Sequence, residues 1–214
     1  MQREHWDIVI VGGAVTGAST AWWLMGQQPD LRVLVVEMDP SYARSATALS
    51  VASVRSQFSN PVNVEISRFG VDFIRNFGLR LGPDGGVPDL GLKENGYLFL
   101  TASESGAAVM EELATMQRGL GADTRVLSPS ELKARYPWMN TDDLVAGSLG
   151  LRDEGWFDNM GLLNGFRNAA RARGAVFRAD RVTGLVRDGN RITGVDLEKA
   201  GRIGAGMVLC AGGT

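Results

Sequence analysis

The feature that most constrains this chain of 214 residues is a glycine-rich loop between two short apolar runs. Residues 8–11 read Ile-Val-Ile-Val and residues 33–36 read Val-Leu-Val-Val, and β-branched runs of this length are typical of strands buried on both faces. Residues 19–27 between them are expected to form a helix, which Pro29 closes. A strand, a helix and a strand in this order predict a right-handed parallel crossover, and therefore an α/β fold with a Rossmann-like domain.

The loop lies where a G-x-G-x-x-G dinucleotide-binding motif is expected, and it consists of Gly12, Gly13, Ala14, Val15, Thr16 and Gly17. In that motif the first glycine allows a sharp turn, a small second residue lets backbone N–H groups approach a pyrophosphate, and the third lets the helix pack on the strand. The N-terminus of the helix adds unpaired N–H donors and a partial positive charge. Ala14 replaces the second glycine and adds one methyl group. We therefore expect these six residues to hold the phosphates of a dinucleotide.

A carboxylate follows the second strand. Glu37 ends the apolar run, and a carboxylate in this position accepts hydrogen bonds from both ribose hydroxyls and repels a 2′-phosphate, which disfavours NADP. The alternative for Glu37 alone is a solvated charge at the end of a strand. The loop and Glu37 do not separate NAD from FAD, so both nucleotides stay open at this point.

Composition and charge exclude several other classes of protein. The chain has 22 Lys and Arg against 24 Asp and Glu, a net charge of −2, which argues against a nucleic-acid surface and against a polybasic membrane anchor. No run approaches the roughly 18 apolar residues that span a bilayer, and the N-terminus has no signal-peptide pattern. One cysteine and one histidine cannot form a disulfide or a zinc centre. We expect a soluble, cytoplasmic protein with a small-molecule partner and no bound metal.

Two amphipathic patterns predict helices in the middle of the chain. The first lies between residues 61 and 82, and its apolar face recurs every four positions at Phe69, Phe73, Phe77 and Leu81. Residues 83–91, rich in glycine and proline, predict an exposed connection, and residues 96–100 predict a strand. The second helix is marked by Val109, Leu113, Met116 and Leu120.

The last third of the chain predicts two more helices and a strand meander. Ser128 and Glu131 form a capping box with Pro129 at the first helical position, which is a strong helix start. A later helix, capped by Asp158 or Asn159, stops at Gly174. Residues 181–187 and 191–197 flank a turn, and a last strand runs through residues 207–209.

Residues 45–59, after Asp39-Pro40, resemble the flavin-covering segment of the D-amino-acid oxidase superfamily. The match is best with the sarcosine oxidase and dimethylglycine dehydrogenase branch, in particular at the Arg-x-Gln-Phe-Ser stretch that starts at Arg55 and at the following Asn63. Residues 153–158 resemble the family's Asp-Gly-x-x-Asp element, and residues 194–195 and 208–213 resemble its returning hairpin and Ala-Gly flavin contact. The resemblance covers nearly all of the chain.

The resemblance implies FAD as the cofactor, bound by a Rossmann-like domain of the glutathione-reductase type. Residues 1–88 and 153–214 would form this discontinuous, incomplete FAD-binding domain, and residues 89–152 an inserted part of an α+β substrate domain. Beyond the loop and Glu37, the implied FAD contacts are Met38, Ser45, Thr47, Ser50, Arg55, Val182, Cys210, Ala211 and Gly212. For Cys210 itself, its place on a strand predicts a small buried side chain.

Arg55 is the implied catalytic residue, since it resembles an arginine beside the flavin ring whose charge stabilises the reduced flavin. The alternative is a surface arginine on a loop. Some amine oxidases of the family place a second arginine three residues later to hold a substrate carboxylate, but this chain has Phe58 there. Binding of an amino acid by that second arginine is therefore not expected.

The function implied by the resemblance is oxidation of an amine or N-methyl amino acid by hydride transfer to flavin N5. The alternatives are a non-catalytic FAD-binding protein, like the assembly-factor relatives of this branch, and an NAD-dependent dehydrogenase. In the family, a second half of the substrate domain follows the Ala-Gly element, whereas this sequence stops at Thr214. We expect a further segment or a second chain to complete the site, and residues 1–214 alone not to turn over an amine.

Overall fold

The computed structural model describes residues 4–213. The helices are α1 Val15–Gln27, α2 Ala46–Leu49, α3 Pro61–Arg75, α4 Phe77–Leu81, α5 Glu104–Gly119, α6 Pro129–Arg135 and α7 Asn159–Ala172. The strands are β1 His5–Val11, β2 Val33–Glu37, β3 Ser53–Val54, β4 Tyr97–Thr101, β5 Thr124–Leu127, β6 Ala146–Gly150, β7 Gly155–Trp156, β8 Val176–Ala179, β9 Val182–Asp188, β10 Arg191–Leu197 and β11 Gly201–Cys210.

The chain divides into two compact units. The first unit comprises the residues up to Ser50, Phe77–Leu90 and the residues from Asn159 onward. The second unit comprises Val51–Asn76 and Gly91–Asp158. The domain division predicted from the sequence stays a prediction, and the second unit takes in residues 51–76 in addition to most of the predicted substrate-domain segment.

The first unit is built on a six-stranded sheet in the order β8-β2-β1-β11-β10-β9. Strands β8, β2, β1 and β11 are parallel to one another, whereas β10 pairs antiparallel with both β11 and β9. Val9 packs in one cluster with Leu34 and with Val195 of β10, so the β9–β10 hairpin covers one face of the parallel strands. Because side chains alternate along a strand, Ile10 points to the opposite face, toward α1 at Gly17. The α/β fold predicted from the loop is confirmed.

Helices α1 and α7 pack on each other in the first unit. The ring of Trp22 on α1 lies 5.5 Å from that of Phe166 on α7, and Phe166 in turn lies 5.3 Å from Phe77 of α4, both at T-shaped angles. The guanidinium of Arg173 stands 4.4 Å over the Trp22 ring. These contacts hold α1 against a helix that begins more than a hundred residues later in the chain, so α7 supports the helix that follows the glycine loop.

The second unit has a three-stranded antiparallel sheet, β4-β6-β5, and a short β3–β7 pair. Helices α5 and α6 pack on this sheet and bury Ala114, Gln117 and Leu132. The predicted capping box is confirmed, because Ser128 Oγ accepts from the N–H of Glu131, whose carboxylate accepts from the N–H of Ser128.

Three expectations about the middle of the chain are corrected in detail. The segment between 61 and 82, predicted as one helix, forms two helices, α3 and α4. Helix α3 ends at Arg75, and the side chain of the following Asn76 donates to the carbonyl of Asp72. Phe69 is exposed, whereas Phe73, Phe77 and Leu81 are buried. On α5 the buried positions are Ala114 and Gln117, and Val109 is exposed. The connection at 83–91 is not simply exposed, because Leu90 is fully buried.

Candidate functional site

The glycine loop is too tightly folded to carry side chains at two positions. Gly12 has a left-handed φ of +96°, and a Cβ added there would lie 2.5 Å from the carbonyl oxygen of Ala211. A Cβ added at Gly17 would lie 1.9 Å from the carbonyl oxygen of Gly12. The first and last glycines of the motif are therefore required by sterics, as the sequence predicted.

Helix α1 begins without a side-chain cap. Its N-cap residue is Ala14, which accepts no hydrogen bond from the first turn because it has no polar side-chain atom. Thr47 is buried beside this turn, and its Oγ1 accepts from the N–H of Val15 at 3.3 Å. Apart from that of Val15, the N–H groups of the first turn have no partner within the helix and receive no cap from Ala14. They offer partial positive charge to an anion, so this end of the 13-residue helix α1 suits a phosphate.

Glu37 lies beside the loop at the carboxyl end of β2. Its carboxylate accepts from the N–H of Gly13 and from the N–H of Asp39, each at 2.8 Å. These two bonds use one lone pair on each oxygen and fix the orientation of the carboxylate, and each oxygen can still accept a hydroxyl. The side chain is half-buried, so a ribose can reach it.

The end of β11 lies next to the loop. Cys210 pairs with Val11 in the parallel register of β11 and β1, and the N–H of Ala211 donates to the carbonyl of Val11 at 2.7 Å. The structure thus brings Cys210, Ala211 and Gly212 to the carboxyl ends of the parallel strands, where the glycine loop also lies. The expectation that Cys210 is buried was wrong, because it ends the strand and its side chain is exposed.

The segment around α2 is fastened by Asn159, which the sequence indicated only as one possible helix cap. Its Nδ2 donates to the carbonyls of Thr47 and Ser50, at 2.5 and 3.2 Å. Ser45 is occupied as the N-cap of α2, where its Oγ accepts from the N–H of Ala48. Of these residues, the structure brings only Thr47 to the N-terminus of α1.

Two further residues predicted to contact FAD, Met38 and Val182, lie in the first unit. Within residues 4–213, neither forms a hydrogen bond with the glycine loop. Met38 follows Glu37 and is mostly exposed. Val182 starts β9 and packs against the apolar cluster that contains Val36 and Leu197. The roles of both residues at a nucleotide stay predictions.

Arg55 belongs to the second unit, where aromatic rings surround it. Its guanidinium carbon lies 4.9, 5.2 and 5.5 Å from the ring centres of Phe58, Tyr97 and Phe99. Its Nε is buried and has no hydrogen-bond partner in the described part of the chain. Arg55 is thus half-buried among aromatic rings and is not a fully solvated surface arginine.

Arg55 also lines a cavity of about 670 Å³ that lies wholly in the second unit. The other principal lining residues come from the segment after Arg55, from β4, from α5 and from β6, and they are Gln57, Phe58, Phe99, Leu100, Thr101, Ser103, Val109, Met110, Leu113, Gln117 and Ser148. Sequence reasoning missed this cavity, because its walls are separated by up to about ninety residues of chain.

A buried polar network underlies the Arg55 segment. Glu154 is only 1% exposed, and its carboxylate accepts from the N–H of Ser56 at 2.7 Å and from Nε2 of Gln57 at 2.8 Å. Oε1 of Gln57 accepts from Ser148 at 2.6 Å. Burial raises the pKa of the Glu154 carboxyl above its usual value, against these hydrogen bonds and the charge of Arg55, which lower it. The network fixes the backbone that carries Arg55.

The uncapped α1, the glycine loop and Glu37 together define a dinucleotide-binding α/β protein. Comparison with known protein families gives the family of this chain. The family model described as "DAO: FAD dependent oxidoreductase" matches residues 7–214. The chain therefore belongs to this FAD-dependent oxidoreductase family. Of the two nucleotides that the loop left open, FAD is the cofactor, and the NAD-dependent alternative is wrong.

Proteins similar in sequence are named as oxidoreductases. The chain is 46% identical over 187 residues to FAD-dependent oxidoreductase domain-containing protein 1 of Bos taurus, covering 86% of this chain and 38% of that protein. It is 29% identical over 215 residues to mitochondrial sarcosine dehydrogenase of Homo sapiens, covering 96% of this chain and 22% of that protein. The chain spans little more than a third of the first curated relatives it matches.

Solved structures share the fold. L-proline dehydrogenase from P. horikoshii is similar with a TM-score of 0.82 and 25% identity, over 98% of this chain and 53% of that one. Glycine oxidase from Bacillus cereus has a TM-score of 0.75 and 22% identity, over 97% and 55% of the two chains. Within the described residues, no helix is long and apolar enough to cross a membrane, and no group of His, Cys, Asp and Glu is arranged to hold a metal ion.

Proposed function

We propose that the complete protein oxidises an amine or an N-methyl amino acid at the carbon next to nitrogen, with FAD as the electron acceptor. The observation that carries the proposal is the free N-terminus of α1 between the glycine loop and the oriented carboxylate of Glu37. The substrate class is supported by the relatives named sarcosine dehydrogenase and L-proline dehydrogenase. In this reaction the substrate loses a hydride and becomes an iminium ion, and FAD supplies the ring that accepts the hydride.

In this proposal the residues of the first unit bind and orient the ADP part of FAD. The N–H groups of the α1 first turn meet the pyrophosphate, and Ala14 leaves room for it because its side chain is a single methyl group. Glu37 accepts from the ribose hydroxyls while it stays hydrogen-bonded to Gly13. Thr47 and the Ala211–Gly212 segment form further walls, since both lie against the loop.

In the second unit, Arg55 is the proposed electrostatic residue. Reduction of the cofactor by a hydride adds negative charge, and a fixed cation in a site of low polarity stabilises such charge strongly. The three aromatic rings lie within 5.5 Å of the guanidinium and hold it in place by cation–π contacts. Glu154, through the N–H of Ser56, holds the adjacent backbone and is a positioning residue.

The test is flavin reduction in the complete protein with Arg55→Met. Stopped-flow absorbance under anaerobic conditions, with sarcosine and with proline as substrates, measures the rate constant of reduction. We expect Arg55→Met to slow reduction about a hundredfold, as the loss of one electrostatic contact to the reacting group does elsewhere. Arg55→Lys should recover part of the rate, because it restores the charge. Arg152→Met removes an exposed arginine of the same unit and is the control. An unchanged rate in Arg55→Met would remove Arg55 from the site.

A second candidate function is a FAD-binding protein without amine oxidation. It is favoured by Phe58, which stands where some amine oxidases of the family have a carboxylate-binding arginine. This candidate predicts a yellow protein with a full flavin spectrum that no amine or N-methyl amino acid reduces. The stopped-flow experiment on the unaltered protein distinguishes the two functions directly.

A further inference from the structure

The cavity of the second unit is large for the smallest substrates of this class. Its volume of about 670 Å³ lies within the range of pockets that hold ligands of drug size. Sarcosine or glycine would leave most of this volume unfilled or filled with water. The size therefore favours a ligand with a bulky side chain.

The charge of the cavity favours an acid as the ligand. Among the described residues that line it, Arg55 is the one charged side chain, and no carboxylate faces it across the lining. Glu154 lies behind the lining, where it is bound to Ser56 and Gln57. Glu154 interacts with Arg55 from behind the lining, but within the cavity the guanidinium has no carboxylate partner. A carboxylate on the ligand could therefore pair with Arg55 directly.

Gln117 supplies an acceptor in the same cavity. It is 3% exposed, and its Nε2 donates to the carbonyl of Phe58 at 3.0 Å, which fixes the amide. Its Oε1 is buried and accepts no hydrogen bond from any described residue. A buried acceptor without a partner costs free energy, and a ligand N–H that reaches it would recover that cost. An amine is the kind of group that carries such an N–H.

The remaining wall is apolar and incompletely covered. Phe99 and Val109 are 36% and 52% exposed although both line the cavity, and Met110 and Leu113 continue the same surface along α5. Burying such a surface against an apolar side chain is favourable in proportion to the area removed from water. We infer that this cavity binds amino acids with a large apolar side chain, and that Val109 and Gln117 determine this specificity. The inference rests on the proposed function for the identity of the reaction, but not for binding.

The first test measures binding in the complete FAD-loaded protein without turnover. Titration calorimetry with 3-phenylpropionate and with acetate compares two carboxylates that differ in apolar bulk. We expect 3-phenylpropionate to bind at least about tenfold more tightly, because its ring buries apolar area against α5. Val109→Trp fills the cavity and should weaken binding of 3-phenylpropionate about tenfold or more. Glu112→Trp places the same ring on an exposed, non-lining position of α5 and should leave the affinity within about twofold.

The second test addresses Gln117. Phenylalanine carries the amine that 3-phenylpropionate lacks, so the ratio of their dissociation constants reports on an acceptor. Gln117→Met removes the acceptor at similar volume and should shift this ratio about fivefold against phenylalanine, the size of one net hydrogen bond. If circular dichroism finds Val109→Trp misfolded, the smaller Val109→Phe replaces it.

The outcomes separate this inference from the proposed function. If 3-phenylpropionate binds tightly and Val109→Trp weakens its binding, the result supports the inferred specificity of the cavity. This holds even if no amine reduces the flavin. Equal affinities for the two carboxylates, or an affinity that Val109→Trp leaves unchanged, would overturn the inference. In that case reduction of the flavin by sarcosine would still support the proposed function.

Discussion

Helix α1 of the first unit and the helices of the second unit begin in different ways. In the second unit α3, α5 and α6 each start at a polar residue whose side chain accepts from the first turn, namely Asn60, Ser103 and Ser128. In the first unit α1 starts at Ala14, which has no such group. A capped helix gains about 1 kcal/mol over an uncapped one, so α1 gives up local stability that the other three helices have.

The difference in helix capping indicates where each unit is expected to bind a ligand. The donors that a cap would satisfy stay available at the N-terminus of α1, next to the glycine loop and Glu37. In the second unit the helix ends are satisfied, and the polar atoms without a described partner include Arg55 Nε and Gln117 Oε1, both of residues that line the cavity. Each unit thus leaves polar groups unpaired at the place where a ligand is proposed to bind.

The strongest way to break this comparison is to cap α1. Ala14→Asp would supply a carboxylate that accepts from the first turn and repels a phosphate. Two unit charges about 4 Å apart interact by about 4 kcal/mol at an effective dielectric constant of 20, so we expect FAD affinity to fall at least about a hundredfold. Flavin absorbance of the purified protein and titration of the apoprotein with FAD measure the loss.

The matched control is Ser103→Asp, which makes the same kind of cap at the start of α5. It should leave the flavin content unchanged, because Asp and Ser are equally good N-caps. Unfolding in urea should find Ala14→Asp at least as stable as the unaltered apoprotein. Retention of FAD by Ala14→Asp would mean that the pyrophosphate does not bind at α1.

A second way to sharpen the comparison uses the buried carboxylate of Glu154 in the second unit. The pKa of Glu154 is raised by burial above its ordinary 4.5. The folded state therefore holds the proton more tightly than the unfolded state, and stability falls as the pH rises from below 4.5 through the raised folded pKa. Glu154→Gln removes this titration. The unaltered protein should therefore lose unfolding free energy relative to the variant as the pH rises through this window.

Urea unfolding at several pH values measures this difference, and Glu111→Gln, an exposed change on α5, is the control. Glu154→Gln also leaves one donor of Ser56 or Gln57 without an acceptor, which costs about 1–3 kcal/mol at every pH. The pH-dependent part is therefore read from the slope and not from the offset. A slope equal to that of the unaltered protein would show that the Glu154 carboxyl has the same pKa in the folded and unfolded states.

The first unit could be predicted from the sequence to a large extent. The left-handed φ of Gly12 and the close approach of Gly17 to the carbonyl of Gly12 both arise within the loop, so a short pattern reveals them. The close approach of Gly12 to Ala211 is not local and could not be read from the loop. Thr47 was indicated only through the family resemblance, since its contact with Val15 joins residues 32 positions apart. The exposure of Cys210 was missed because an apolar strand pattern does not reveal that Cys210 is the last residue of β11.

The second unit could be predicted much less well. The Glu154 network joins Ser56, Gln57 and Ser148, whose contacts span more than ninety positions of chain. No local period connects such residues, and a buried glutamate looks like a surface glutamate in one sequence. One indirect signal exists: a Cβ on Gly150 would lie 2.0 Å from Oε2 of Glu154, so the carboxylate occupies the space of the missing side chain.

The smallest expected effect tests the other side of the comparison, a helix start that serves only the fold. Ser128→Ala removes the cap of α6, where Ser128 Oγ accepts from the N–H of Glu131 at 3.3 Å. We expect a loss of about 1 kcal/mol in unfolding free energy and no change in flavin content, because α6 lies in the second unit and its first turn is satisfied internally. Ser128→Thr keeps an acceptor and should recover most of the stability. A drop in FAD affinity with Ser128→Ala would mean that the capped and uncapped helix starts are energetically coupled, and that the division of roles between the two units does not hold.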